Sequence, residues 1–227
     1  MNTQDYVVEC ISYDNAIPWL LEKHYAKRIP SISYSFGLFR KQVLVGVCTF
    51  GKPASHTLCE GICGEDYSPI VFELNRLVLD NNIKNEASWF ISQCFKLLPK
   101  PMILVSYADS SQNHCGYIYQ ATNWIYTGIS AKRTEWVISG LEHMHSKSIS
   151  DMTTNGPGRI DRLKEKYGDD LYYRDRPRKH RYIYFIGDKR QRKELKRKLK
   201  YTVKPYPKTD VKHYDTSAKI VTQMRLI

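Results

Sequence analysis

Nine residues, Pro101 to Asp109 (PMILVSYAD), restrict this chain more than any other stretch. Met102, Ile103, Leu104 and Val105 follow one another without polar alternation, so a strand built from them has both faces covered. Pro99 and Pro101 interrupt what precedes it, and the polar corner after Asp109 ends it. A strand buried on both faces needs a layer above and a layer below, which predicts a sheet flanked by helices.

The neighbouring segments fit that plan. DYVVECISY alternates as a strand, and DNAIPWLLEKHYAKRIP reads as a helix with Asp14 or Asn15 as N-cap and Pro18 in its first turn. ISYSFGLFRKQVLVGVCTFGKP reads as two strands hinged near Arg40-Lys41, and GKPASHTLCEGICGEDYSP as a loop rich in Gly and Pro. IVFELNRLVLD is the next strand. NEASWFISQCFKLLP carries Trp89, Phe90, Phe95 and Leu97/Leu98 at helical spacing. After the buried strand come a short helix (YIYQA), the strand NWIYTG, the late strand KHRYIYFIGD and the basic helix KRQRKELKRKLK. The fold class is α/β (α+β), a mixed sheet flanked by helices with a basic C-terminal extension. The expected division is a core at 1–140, a polar linker or insertion at 141–178, a closing strand at 179–188, and a basic helix and tail at 189–227.

Charge is unevenly placed. Residues 1–150 hold 13 Lys+Arg against 13 Asp+Glu, and residues 151–227 hold 22 against 10, so the formal net charge of +12 lies in the last third. A neutral body with a basic end suits a polyanion; a solvated basic tail is the plainer reading. In the helix from Lys189, only Leu195 and Leu199 form an apolar stripe, so it is expected to bind phosphate and not to pack a core. No stretch reaches the ~18 apolar residues of a membrane span, and the six cysteines follow no disulfide or zinc spacing. A soluble protein with reduced cysteines is expected.

Asp109 stands at the carboxyl end of its strand, where ligand crevices open in α/β sheets. Its carboxylate can orient an amine, remove its proton or hold a metal, or simply cap the next turn. Tyr119, on the helix that follows, can donate a proton or bind metal, or merely pack among seventeen tyrosines. Glu73 and Asn75 share a strand face, and Arg76 on the other face reads as a structural partner.

The strand and helix order is similar to the GNAT acyltransferase fold, and GYIYQATNWIYTG sits where that superfamily carries its general-acid tyrosine. The segments FGKPAS, GICGEDY, ELNRLVL, SYAD, YQATNWIYTG and KHRYIYF further resemble the Mom-type DNA modification proteins of Mu-like bacteriophages, over about residues 15–187. The resemblance implies conversion of adenine N6 in phage duplex DNA to a carbamoylmethylated form that host restriction does not cut. The expected catalytic residues are Asp109, Tyr119, Tyr34 and Glu73. An acetyl-CoA-like donor would lie along Leu77, Val78 and Leu79, with its phosphates near Asn85 and Ser88, although the glycine-rich phosphate loop of GNAT enzymes is replaced by NNIKNEAS. An oxygen set of Asp109, Tyr119 and Tyr34 would suit iron(III).

Reaching N6 in a duplex requires the base to be turned out, and Tyr34, Phe36, Trp124 and Tyr126 are candidate walls. Arg174, Arg176, Arg178, Lys179 and Arg181, followed by Arg190, Arg192, Lys193, Lys196 and Arg197, are the expected double-stranded DNA contacts, and the host-cell cytoplasm is the expected location. The sequence leaves two alternatives open: a GNAT acyltransferase acting on a protein amine or tRNA, and a non-catalytic DNA-binding protein.

Overall fold

The computed structural model describes residues 3–81, 83–110, 115–142, 144, 146–154 and 156–208. They fall into two compact units, one of residues up to 129 together with those from 179 onward, the other of residues 130–178. The expected tail beyond 208 lies outside the described residues.

The first unit is built on a seven-stranded sheet. Its strands are β1 (Tyr6–Cys10), β2 (Tyr34–Arg40), β3 (Val43–Gly51), β4 (Val71–Leu79), β5 (Met102–Asp109), β6 (Ile125–Ile129) and β9 (Lys179–Ile186), in the order β1-β2-β3-β4-β5-β9-β6. Every pairing is antiparallel except β4 with β5. As its composition requires, β5 is central: Met102 to Val105 are at most 2% exposed. The β2–β3 turn at Lys41 and Gln42 uses positive φ at both residues (48° and 67°), the backbone a two-residue hairpin favours, here without glycine.

Helix α3 (Glu86–Leu97) covers one face of the sheet, placing Phe90, Ile91, Cys94 and Phe95 in a core with Phe36, Phe50, Leu104 and Trp124. On the other face, Cys59, Ile62 and Cys63 of α2 (His56–Cys63) and Leu195 of α7 (Lys189–Lys198) pack on Val71, Ile103, Val105 and Ile183. Two expectations change here. The segment read as a loop contains α2, capped by Ser55, whose side chain accepts from Leu58 N at 3.2 Å. The basic helix α7 does pack a core: two leucines suffice because Leu195 is only 3% exposed and Leu199 flanks the same cluster.

Helix α1 (Tyr13–Pro18) is capped by Ser12 and not by Asp14 or Asn15, and a π turn over Trp19–Lys23 follows. Pro18 closes α1 where the sequence suggested it would begin one.

The second unit pairs β7 (Arg133–Ile138) with β8 (Leu171–Arg176) and adds α5 (Ser146–Asp151) and α6 (Arg159–Tyr167). Ile138, Ile149, Leu163 and Leu171 form its own core. Of the two readings of 141–178, a linker or an insertion, the structure has the insertion: the stretch is folded, and the unit begins earlier, at Ser130. Its few apolar residues come from four separate elements, so no single segment displays a periodic stripe.

Candidate active site

Strands β4 and β5 run side by side for only three residue pairs, Val71 with Ile103, Phe72 with Leu104 and Glu73 with Val105. Beyond that point β4 stays with β3 and β5 stays with β9, so a cleft opens between Leu74–Leu79 and Ser106–Asp109. At the fork, Ser106 Oγ lies 2.8 Å from the Leu74 carbonyl and 2.8 Å from the Tyr119 hydroxyl. On the β3 side the register slips after Thr49, which pairs with Arg76 while Phe50 pairs with Leu74, leaving Asn75 bulged. Asn75 is fixed by Thr49 Oγ1 at 2.6 Å and by donating to Ser31 O at 2.7 Å.

Tyr119 belongs to α4 (Tyr117–Ala121) and packs on Trp124 and Tyr182, with ring centroids 5.2 and 5.1 Å away. Gly116 makes that entry possible: its φ is +83°, and a Cβ there would stand 2.6 Å from the Tyr182 ring. Burial pushes the Tyr119 hydroxyl far above the ordinary tyrosine range, with Ser106 opposing and with Tyr25 and Glu73 adding to the rise. The phenol is thus held protonated.

Five other ionisable groups join it. Burial raises the Glu73 carboxyl, and Arg76 and Lys179 pull it back. Loss of water around its hydroxyl raises Tyr25, and Asp109 adds to it while Arg76 opposes. Arg76 donates to Asn75 O at 2.6 Å and to Arg28 O at 3.4 Å. Lys179 Nζ lies 3.2 Å from Asp109 Oδ2. Tyr25 therefore feels Asp109 and in turn acts on Tyr119, and Glu73 feels both Arg76 and Lys179. These mutual effects gather Tyr25, Glu73, Arg76, Asp109, Tyr119 and Lys179 about one cleft.

His24, stacked on Tyr25 at 4.4 Å, is 8% exposed. Its Nδ1 accepts from Ala26 N at 3.0 Å, and burial with Arg76 nearby lowers its pKa to about 3, so it is neutral.

Several sequence expectations shift. Phe36 (1% exposed), Trp124 (0%) and Tyr126 (7%) are core residues and cannot wall a nucleotide pocket; their aromatic character served packing. Tyr34 lies edge-on against Phe72 at 5.5 Å, and Tyr25, 41% exposed, is the accessible ring at the cleft. Arg76, read as a structural partner, acts on Glu73 because the Asn75 bulge resets the alternation of side chains. Ser106 is not among the residues expected from the sequence, although a lone hydroxyl inside an apolar run is a usable signal.

The oxygen set Asp109, Tyr119 and Tyr34 does not fit a hard cation. Asp109 is already paired with Lys179, the Tyr119 hydroxyl is hydrogen-bonded to Ser106, and Tyr34 is turned to Phe72. Among the described residues, no three His, Cys, Asp or Glu side chains cluster as ligands.

Leu77, Val78 and Leu79 pair with Cys48, Val47 and Gly46 on one edge and face the cleft on the other. Asn85 adopts φ 70° and gives α3 no side-chain cap, and Ser88 Oγ donates to Asn85 O at 3.1 Å.

Of the expected DNA contacts, Arg174 and Arg176 both address Glu135, at 2.8 and 3.9 Å, and Arg178 donates to Ser130 O at 2.6 Å. Arg181 donates to Thr127 Oγ1 at 2.8 Å and lies 3.4 Å from the Tyr201 ring centroid. Lys179 serves Asp109. Only the α7 residues Arg190, Arg192, Lys193, Lys196 and Arg197 stand exposed.

Residues 5–208 match the model of the Mom protein family. The methylcarbamoylase mom of Escherichia phage Mu is 30% identical over 207 residues, covering 88% of this chain and 83% of that protein. Among solved structures, an agmatine N-acetyltransferase mutant in its apo form overlaps 80% of this chain and 100% of its own at a TM-score of 0.43 and 10% identity. An N-acetyltransferase from Staphylococcus aureus overlaps 80% and 98% at a TM-score of 0.40 and 13% identity.

Proposed function

This chain belongs to the Mom protein family, and from that premise we propose that it modifies the N6 amino group of adenine in phage duplex DNA, placing a carbamoylmethyl group there and so shielding the DNA from host restriction. The observation that carries the reading is the gathering of Tyr25, Glu73, Arg76, Asp109 and Tyr119 where β4 and β5 part, within a family match that spans nearly the whole chain.

N6 is held in base pairing, so the adenine is turned out of the stack before it reacts. The exposed Tyr25 ring, backed by His24, offers it a stacking face at the cleft. Glu73, whose carboxyl burial raises above the ordinary carboxylate range, is the base for the amine proton. Tyr119 gives a proton to the departing group, and Arg76 steadies the negative charge that develops in a dry cleft. Asp109, held by Lys179, orients the amine.

A donor of the acyl-CoA class fits the free edge of β4 at Leu77–Leu79, and the uncapped start of α3 at Asn85 and Ser88 suits its phosphates. Such a donor supplies an activated acyl carbon. Transfer of that carbon alone gives an N6-acyl adenine; a carbamoylmethyl product has N6 bonded to the methylene carbon and an amide nitrogen that acetyl-CoA lacks, so the complete reaction also draws on a nitrogen source and a two-electron oxidant. The site of action is the host cytoplasm, where the phage DNA lies.

Nucleoside analysis by mass spectrometry of DNA from cells expressing the protein tests the reading. A modified deoxyadenosine is expected. Unmodified DNA accompanied by acylated protein or tRNA supports the other acyl-transfer reading, and modification of none of them leaves only a DNA-binding role.

A further inference from the structure

We infer that α7 is a preformed clamp for the phosphate backbone of duplex DNA, separate from the cleft where the adenine reacts; this rests on the reading of DNA as substrate. Seven of the ten residues of Lys189–Lys198 are basic. At 100° per residue, Lys189, Arg190, Arg192, Lys193, Lys196 and Arg197 fall within an arc of roughly 160°. Leu195 lies on the opposite side and is 3% exposed in the core. The helix's one acidic residue, Glu194, is outside the arc and accepts a hydrogen bond from Tyr67 at 3.0 Å. Among the described residues none of the six cations has an ion-pair partner.

Such an arc is unfavourable for a helix on its own, because like charges three and four residues apart repel. The fold holds it regardless. Asp188 and Gln191 form a capping box at its start, and Cys63 Sγ lies 3.7 Å from the Leu195 carbonyl. At its end Lys200 N donates to Ile62 O at 2.8 Å, and farther on Lys204 N donates to Tyr126 O at 2.9 Å and Tyr206 OH to Trp124 O at 2.6 Å. The cations are thus presented on a helix whose position is fixed before any partner arrives, and a partner rich in negative charge relieves their repulsion.

Duplex DNA fits better than a membrane surface. The arc contains no apolar side chain that could enter lipid, whereas interfacial helices need one. Ten residues span about 15 Å, enough to follow about four phosphates along one strand at their axial spacing of about 3.4 Å. The contacts are to backbone, so they position the duplex without choosing a sequence.

The test replaces Arg190, Arg192, Lys193, Lys196 and Arg197 together by Gln in the full chain, leaving Leu195 and the capping box intact. Thermal melting checks that the fold is retained. Binding to a 30-base-pair duplex is then followed by fluorescence anisotropy across salt concentrations, beside vesicles of phosphatidylserine and phosphatidylcholine. A loss of duplex affinity of about 100-fold or more at 0.1 M salt is expected, with a log–log salt slope shallower by about 2–4, and no vesicle binding by either protein. An unchanged slope overturns the inference, as does a substitution effect seen on vesicles and not on DNA. The Tyr119→Phe protein keeps the parental slope. If it also keeps full modification activity, the catalytic reading fails while the clamp stands.

Discussion

Replacing Tyr119 by Phe separates the proton-donor role proposed for this residue from its role in packing. Tyr119 is 9% exposed, and its ring rests on Trp124 and Tyr182, contacts that phenylalanine preserves. The hydroxyl meets Ser106 Oγ, which also reaches the Leu74 carbonyl. After the substitution Ser106 still has that carbonyl, so no buried donor is stranded. The stability cost is that of one net hydrogen bond, about 1 kcal/mol, or a fall in melting temperature of roughly 2–4 °C for a chain of this size. Loss of a general acid costs about 10²- to 10⁴-fold in rate, equivalent to about 3–5.5 kcal/mol of activation free energy at 1.36 kcal/mol per decade. Activity should therefore fall far more than stability. The assay is single-turnover modification of duplex DNA scored by nucleoside mass spectrometry, beside calorimetric melting. Wild-type rates in the variant, or a melting temperature lower by 10 °C or more, would refute the reasoning, the latter by showing Tyr119 to be chiefly a core residue.

Three further outcomes are expected. Lys179→Ala removes a cation that lowers Glu73, so the acid limb of the modification pH profile should move to higher pH, and Lys179→Arg should restore it; no movement would dissociate Glu73 from that limb. His24 has a folded pKa of about 3 against the ordinary 6.5. The unfolded chain takes up its proton first, so stability is present above pH 6.5 and is lost as pH falls, by about 2 kcal/mol at pH 5. His24→Gln should flatten that loss in denaturant titrations. Leu195→Ala should cost about 2–5 kcal/mol, the range for truncating a buried leucine, and weaken DNA binding by loosening α7; an unchanged denaturation midpoint would mean the helix is not docked.

Regular elements were readable where each carried its own pattern. β5 announced itself by four apolar residues in succession, and α3 by aromatic residues at helical spacing. α2 was hidden because its apolar positions are two cysteines, a leucine and an isoleucine amid Gly and Pro. The second unit was hidden because its core is assembled from four elements that contribute about one residue each. For α7, two leucines are a poor guide: docking depends on what they meet, and Leu195 joins Val71, Ile103 and Ile183 in one buried cluster on the sheet.

The same distinction governs the cleft. Asp109 and Tyr119 could be singled out from their places in the chain, but the groups that set their chemistry come from elsewhere: Tyr25 follows the π turn, Arg76 a bulge, and Lys179 a strand that arrives 70 residues after Asp109. Strand alternation alone assigned Arg76 to the wrong side, because one extra residue at Asn75 reverses every side chain after it. Restoring strict alternation by deleting Asn75 should therefore be worse than substituting it. Asn75→Ala loses the bonds to Thr49 and Ser31 but leaves Arg76 beside Glu73. The deletion turns Arg76 away from the cleft and drives the apolar Leu77 toward it. A deletion variant as active as Asn75→Ala would show that Arg76 has no part in the reaction.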